Sequence, residues 1–158
     1  MNHQKKQEFT KRITTANRSQ LVLILYEMAE TYLMEAREAG ETQKWEDYKR
    51  SIRNGEAVIG RLMEDLNFEQ EIAVEFYRLY RYCLEEAAKA KITRNIAYIE
   101  HIQMVLSKLT PGIMGMIQAD HSEPLMKHIP QVIAGMTYQK GYLTETYQDP
   151  EQSRGYLV

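Results

Sequence analysis

The chain is poor in the residues that break helices. Before residue 111 its only glycines are Gly40, Gly55 and Gly60, and no proline precedes Pro111. Helix-period patterns are therefore free to run long through the first two thirds. A lone cysteine, Cys83, excludes an internal disulfide and a Cys/His metal cluster, and a reducing compartment is its simplest setting. Its place in an apolar-periodic segment marks it as a small core residue rather than a nucleophile. An excess of one charge is missing too: a net charge of −2 gives no long-range field for nucleic acid or anionic lipid. The local exception is the start, where Lys5, Lys6, Lys11, Arg12 and Arg18 outnumber Glu8; a short basic arm of this kind reads as a solvated terminus. No run approaches the roughly 18 apolar residues that a membrane span needs. The first twenty residues lack the apolar centre of a secretory signal, so the expected location is the cytoplasm, with no membrane insertion.

Converging polar chemistry is also scarce. His3, His101, His121 and His128 are scattered, and none has a glutamate three residues before it, which argues against a di-iron bundle. Walker, nucleophile-elbow and H-E-x-x-H patterns do not occur. The acidic pairs Glu85-Glu86 and Glu64-Asp65 read as solvated helix faces. The expectations are no enzyme, no cofactor, no metal and no nucleic-acid partner.

What is present is four amphipathic segments. Asn17 suits an N-cap, and Leu21, Leu25, Met28, Tyr32 and Ala36 follow at spacings of three and four, widened by Val22, Ile24, Ala29 and Leu33. Gly40 is the expected stop, as a left-handed C-cap. A second helix is expected over 44–66, with Tyr48, Ile52, Gly55, Ile59, Leu62 and Leu66 as its seam; Gly55 there suggests a close neighbour. A third runs from about 69 to 90 on Ile72, Phe76, Leu79, Cys83 and Ala87, joined by Ala73, Tyr80 and Leu84. A fourth runs from about 93 to 109 on Ile92, Ile96, Ile99, Leu106 and Leu109, and Thr110-Pro111-Gly112 is expected to end it. Short joins between such helices imply an all-α fold, an antiparallel up-down four-helix bundle with a short N-terminal segment and an irregular C-terminal extension. The expected division is 1–113 for the bundle with its arm and 114–158 for the extension. In that extension Leu125–Ile133 suits a short helix, and Tyr138, Tyr142, Tyr147 and Tyr156 punctuate a polar tail that is expected to be flexible.

The fourth helix carries more apolar surface than one seam needs. Tyr98, Ile102 and Val105 run beside the inward stripe, rotated by roughly 100° on a helix of 3.6 residues per turn. Val58 flanks Leu62 on the second helix in the same way. Two readings stand: deeper burial beneath the residues after Pro111, which the pattern alone favours, or a groove for a guest helix.

A resemblance bears on that choice. The stretch Thr14–Glu27 (TTANRSQLVLILYE) resembles the opening of the flagellin export chaperone family FliS, where a T-A-S-P segment leads into an L-x-x-M-L-Y-D-like run. Ile72-Ala73 with Phe76–Tyr82 resembles that family's I-A-x-x-L-x-x-L-Y-D-Y, and Val58-Ile59 with Leu62–Asn67 its I-I-x-x-L-x-x-x-L-D. The resemblance covers about 9 to 113. Arg18, Arg81 and Ile113 depart from the usual Pro, Asp and Trp, and Lys91 and Asn95 depart in the turn before the last helix. The resemblance implies a mobile N-terminal segment and a cytoplasmic chaperone. Its guest is the C-terminal segment of flagellin, which folds into helices on the bundle, is kept from premature polymerisation and is delivered to the export gate. Coupled folding and binding requires apolar burial to exceed the cost of ordering the guest. Under this reading Val58, Leu62, Tyr98, Ile102, Val105 and Leu109 line the groove, and Phe9 and Ile13 cover part of it until the guest arrives. The expected partners are flagellin's C-terminal helices, with the export gate or regulatory proteins beyond them, and the expected state is a monomer or weak homodimer. The competing reading is a self-associating helical structural or regulatory adaptor.

Overall fold

The computed structural model describes residues 1–126, and there the secondary structure is helical throughout. Five helices follow one another: α1 (His3–Thr15), α2 (Arg18–Glu41), α3 (Trp45–Glu64), α4 (Ile72–Thr93) and α5 (Ala97–Ala119). Helix α2 packs on α3 and α5, and α4 packs on the same two, so the four long helices close a cycle of neighbours; α1 packs chiefly on α2.

The N-terminal segment corrects the expectation of a wholly solvated arm. It forms a helix because Asn2 caps it, its side chain accepting from Lys5 N–H at 2.8 Å. Phe9, Ile13 and Ala16 recur at four and three and supply one narrow apolar edge. The basic residues form the solvated side of that helix; Arg12 reaches across to pair with Glu27.

Asn17 caps α2 as expected. Its side chain accepts from Gln20 N–H at 2.9 Å, and Gln20 reciprocates on Asn17 N–H at 3.0 Å, a full capping box. Arg18 takes the first helical position, where a proline or an arginine fits equally. Gly40 does not act as the C-cap. The helix ends at Glu41, and Gln43 takes the left-handed conformation instead (φ 55°). Gly40 is required for space: a Cβ there would stand 3.0 Å from Ile96 Cγ1 and 3.1 Å from Tyr48 Cδ2. Gly55 sits against α2 with more room, a Cβ meeting Tyr32 Cβ at 3.7 Å.

The core joins all four long helices through Tyr26, Leu33, Tyr48, Ile52, Ile59, Tyr80, Ile99 and Leu106. Its buried hydroxyls are satisfied: Tyr26 and Tyr80 share a 2.7 Å hydrogen bond, and Tyr48 donates to Ala90 O at 3.2 Å. Burial raises the Cys83 thiol to about 12, so it stays protonated and packs as a core side chain.

The α4 stripe is rotated from its expected place. Ala73, Tyr80, Cys83, Ala87 and Ala90 face inward, while Ile72 is 57% exposed. Ile92 belongs to the last turn of α4 and is 82% exposed, not an inward residue of the next helix.

The largest correction is at Pro111, which lies inside α5 rather than ending it. Proline removes one backbone donor and crowds the preceding turn. That cost is offset here because the apolar spacing continues through it. Leu106, Leu109, Ile113 and Ile117 keep one face on the core, with Ile113 fully buried. Ser107, whose carbonyl loses its usual partner, is exposed to solvent. The expected boundary at 113 therefore falls within a helix. The short helix expected over 125–133 lies, beyond Met126, outside the described residues, as does the tyrosine-bearing tail.

Candidate partner-binding surface

The eight residues singled out from the sequence separate into three groups. Ile102, Leu62 and Val58 are core residues, exposed by 0%, 3% and 8%. Ile102 sits with Ile99, Leu106 and Ile113 on the buried line of α5, so it belongs to the inward stripe and not to the flank. Tyr98, Val105 and Leu109 are half-buried at the edge of the same core and form the accessible flank of α5. Phe9 and Ile13 are elsewhere: they join a second, smaller cluster with Ala16 and Ile24, bordered by Met1, Leu21 and Met28. The structure thus seats the α1 cover on α2, apart from the core group that holds the other six residues.

The face beneath α1 is what the sequence reading missed. Leu21, Ile24 and Met28 belong to α2, whose first turns carry five consecutive apolar residues, Leu21 to Leu25. A helix buried on one side has no need of such a run. The run is the signal that α2 is covered on two sides. Phe9 is buried there, and Arg12 lies 5.7 Å from its ring centroid. Met1 pairs with Glu35, and Arg12 with Glu27, along the border. The exposed Arg12–Glu27 pair is worth about 0–1 kcal/mol, so α1 is held mainly by its small apolar cluster, Phe9 with Ile13 and Met1, and by the part-buried Met1–Glu35 pair.

A polar cluster couples α4 to α5 beside the Tyr98 flank. Glu86, expected on a solvated face, is instead buried. Its carboxylate accepts from Lys89 Nζ at 2.7 Å and from His101 Nδ1 at 2.7 Å. These bonds, Lys89 first, hold its pKa below the ordinary glutamate value against the opposing effect of burial. Tyr98 packs edge-on to His101 with centroids 6.0 Å apart. Tyr77 and Tyr82, on the outer side of α4, are both exposed.

Among the described residues no three His, Cys, Asp or Glu side chains gather to hold a metal ion, and no helix is long and apolar enough to cross a membrane. An open hollow of about 400 Å³ between α1, α2 and α5 is lined by Lys5, Met34, Glu38, Gln103 and charged neighbours. It is a surface groove, not an enclosed ligand site.

These features define an all-α protein whose distinctive surfaces are the apolar sides of helices. The sequence model described as "Flagellar protein FliS" matches residues 1–117, from α1 through most of α5, and the chain belongs to this family. The family is one of flagellar export chaperones that bind flagellin. No curated protein matches the chain. Three of the departures from the family pattern have local explanations. Arg81 pairs with Glu85 one turn on, Lys91 pairs with Glu56 of α3, and Ile113 fills the core.

Proposed function

We propose that this chain is a cytoplasmic chaperone that captures the C-terminal segment of flagellin as helices, α1 giving up its place on α2 to one of them. The observation that carries this reading is the separate cluster of Phe9, Ala16 and Ile24: one short helix covers an apolar face of α2 whose buried residues are not part of the main core. The half-buried flank of Tyr98, Val105 and Leu109 offers a second strip for the same guest. Val58, Leu62 and Ile102 then act as the floor that holds α3 and α5 in place, not as contact residues. The cyclic packing of α2–α5 through short joins at 42–44 and 94–96 supports an up-down antiparallel bundle as the scaffold. Capture keeps the guest from polymerising and leaves the chaperone–subunit complex for the export gate. No catalytic step is part of this reading.

Calorimetry with flagellin, and with flagellin shortened at its C-terminus, tests it. The expected outcome is a 1:1 complex with the intact protein, a negative heat-capacity change from apolar burial, and no binding to the shortened one. Equal binding to both sinks the reading. The self-association alternative rests on a different patch, where exposed Phe68 packs edge-on to exposed Tyr77, ring centroids 5.8 Å apart, near exposed Ile72. A stable homodimer on a sizing column, indifferent to flagellin, would favour it.

A further inference from the structure

We propose that residues 120–125, just past α5, are a latch that holds α1 closed over α2. The inference rests on the reading above for its purpose, since what the latch guards is the face assigned to the guest. The geometry itself is independent of that reading.

Helices α1 and α2 are separated by only two residues, Ala16 and Asn17, both extended. Such a break is a hinge, and its direction is set by whatever its polar groups bond to. Here they bond to a segment a hundred residues away. Ala16 O accepts from Leu125 N–H at 3.0 Å. The Asn17 side-chain amide donates to Asp120 O at 3.3 Å and to Ser122 O at 3.4 Å. The Asp120 carboxylate accepts from Ser19 N–H at 3.3 Å and Ser19 Oγ at 2.5 Å, which adds a negative charge at the start of α2. Its other oxygen accepts from Ser122 N–H at 2.9 Å and braces the strap itself.

The contrast in burial points the same way. Ala16, Asn17 and Ser19 are buried, whereas most of α1 is exposed. Along its length α1 is attached by Phe9, its small cluster and two border ion pairs; at its root it is fixed by a part-buried hydrogen-bond network. Asn17 serves both sides at once, capping α2 with its oxygen and gripping the strap with its nitrogen. Opening α1 therefore requires the hinge to turn, and the hinge turns only when the strap lets go. Residues 120–125 are placed to regulate access to the α2 face.

Hydrogen–deuterium exchange on the full chain without flagellin tests the latch. Asp120→Ala removes the carboxylate. Asn17→Asp keeps the cap but cannot donate to the strap. Gln20→Ala is the control, removing the reciprocal capping bond alone. In the first two variants exchange across residues 3–15 is expected to rise about tenfold, the loss of hydrogen bonds to a charged or buried group. Amides of α3 and the middle of α5 should keep their rates, and the control should leave the ratio of α1 to α3 rates unchanged. Unchanged α1 exchange in both strap variants overturns the latch, and so does an equal rise throughout the bundle. Flagellin titration of the same variants separates the two proposals. Faster α1 opening with no gain in affinity supports the latch and removes the α2 face from the capture site.

Discussion

Helix α2 presents two apolar faces that are held in different ways. One carries Tyr26, Ala29, Leu33 and Ala36 into a core shared with α3, α4 and α5, where most side chains are sealed. The other centres on Ile24 and is covered by a single short helix, with Leu21 and Met28 at the border packing on both clusters. The residue types are alike, so hydrophobicity does not distinguish the faces. The number of elements that must move to expose each one does. Opening the first face costs the global stability of the domain, whereas opening the second costs the docking of thirteen residues.

The sharpest way to break the comparison is to put a charge in the inner face. Ile102→Asp places a carboxylate among fully buried residues with no partner, and the fold should be lost, at about 4 kcal/mol or more. Circular dichroism on heating checks it. Burial of Ile102 makes this substitution a test of folding and not of binding. Val105→Asp, on the half-buried flank, is the substitution that should keep helicity and weaken flagellin binding.

A smaller effect is expected at the close contact of α2 with the joint between α4 and α5. Gly40→Ala must displace Ile96 or the Tyr48 ring, and overpacking of this kind costs about 1–3 kcal/mol. Gly55→Ala meets its neighbours at ordinary distance and removes a mid-helix glycine, so it should stabilise by about 0.5–1 kcal/mol. Urea midpoints of the two variants should move in opposite directions. A rise at both would mean that helix propensity, not space, governs the two sites, and a fall at both that space does.

The outer face gives a local effect instead of a global one. Phe9→Ala removes the main apolar anchor of α1, so exchange in residues 3–15 should approach that of an open helix while the urea midpoint moves little. If α1 competes with the guest, the affinity for flagellin should rise severalfold, because the competent state becomes more populated. A large loss of global stability in this variant would erase the distinction between the two faces.

The long helices were legible because their apolar spacing is regular and, before residue 111, no proline and only three glycines interrupt it. The Asn17 cap was readable from its residue type, and so was the seam Tyr48–Ile52–Gly55–Ile59–Leu62. What failed was local punctuation judged without tertiary context. Pro111 was expected to stop α5, yet Ile113 and Ile117 hold the helix on the core beyond it. Gly40 was assigned a backbone role, yet its use is the space it leaves for Ile96 and Tyr48. Helix α1 was hidden because its apolar edge is narrow and its charges dominate the composition. The candidate groove was half legible. Tyr98, Val105 and Leu109 do lie on a flank, but periodicity cannot say which of two adjacent stripes is the deeper, and Ile102 fell on the wrong side. The hinge and its strap were beyond reach, because they join residues about a hundred positions apart.

The smallest expected effect concerns the joint between α4 and α5, and it follows from charge. Glu86 is buried with Lys89 and His101 bonded to its two oxygens, and Tyr82 lies close enough to feel its charge. Its folded pKa is lowered, principally by Lys89 and then by His101, from an ordinary value of 4.5. The ionised form is therefore favoured by folding. The stability this contributes is complete above the unfolded value and is lost as pH falls from there through the lower folded value. Glu86→Gln keeps an acceptor for Lys89 and His101 but cannot ionise, so it should lower the urea midpoint at neutral pH and make the acid decline shallower. The same substitution should leave the exchange of α1 unchanged, because α4 and α5 meet at Glu86 on the inner core and not on the α1-covered face. An acid limb identical to that of the unaltered protein would mean that the Lys89–Glu86–His101 bridge contributes nothing to joining the two helices.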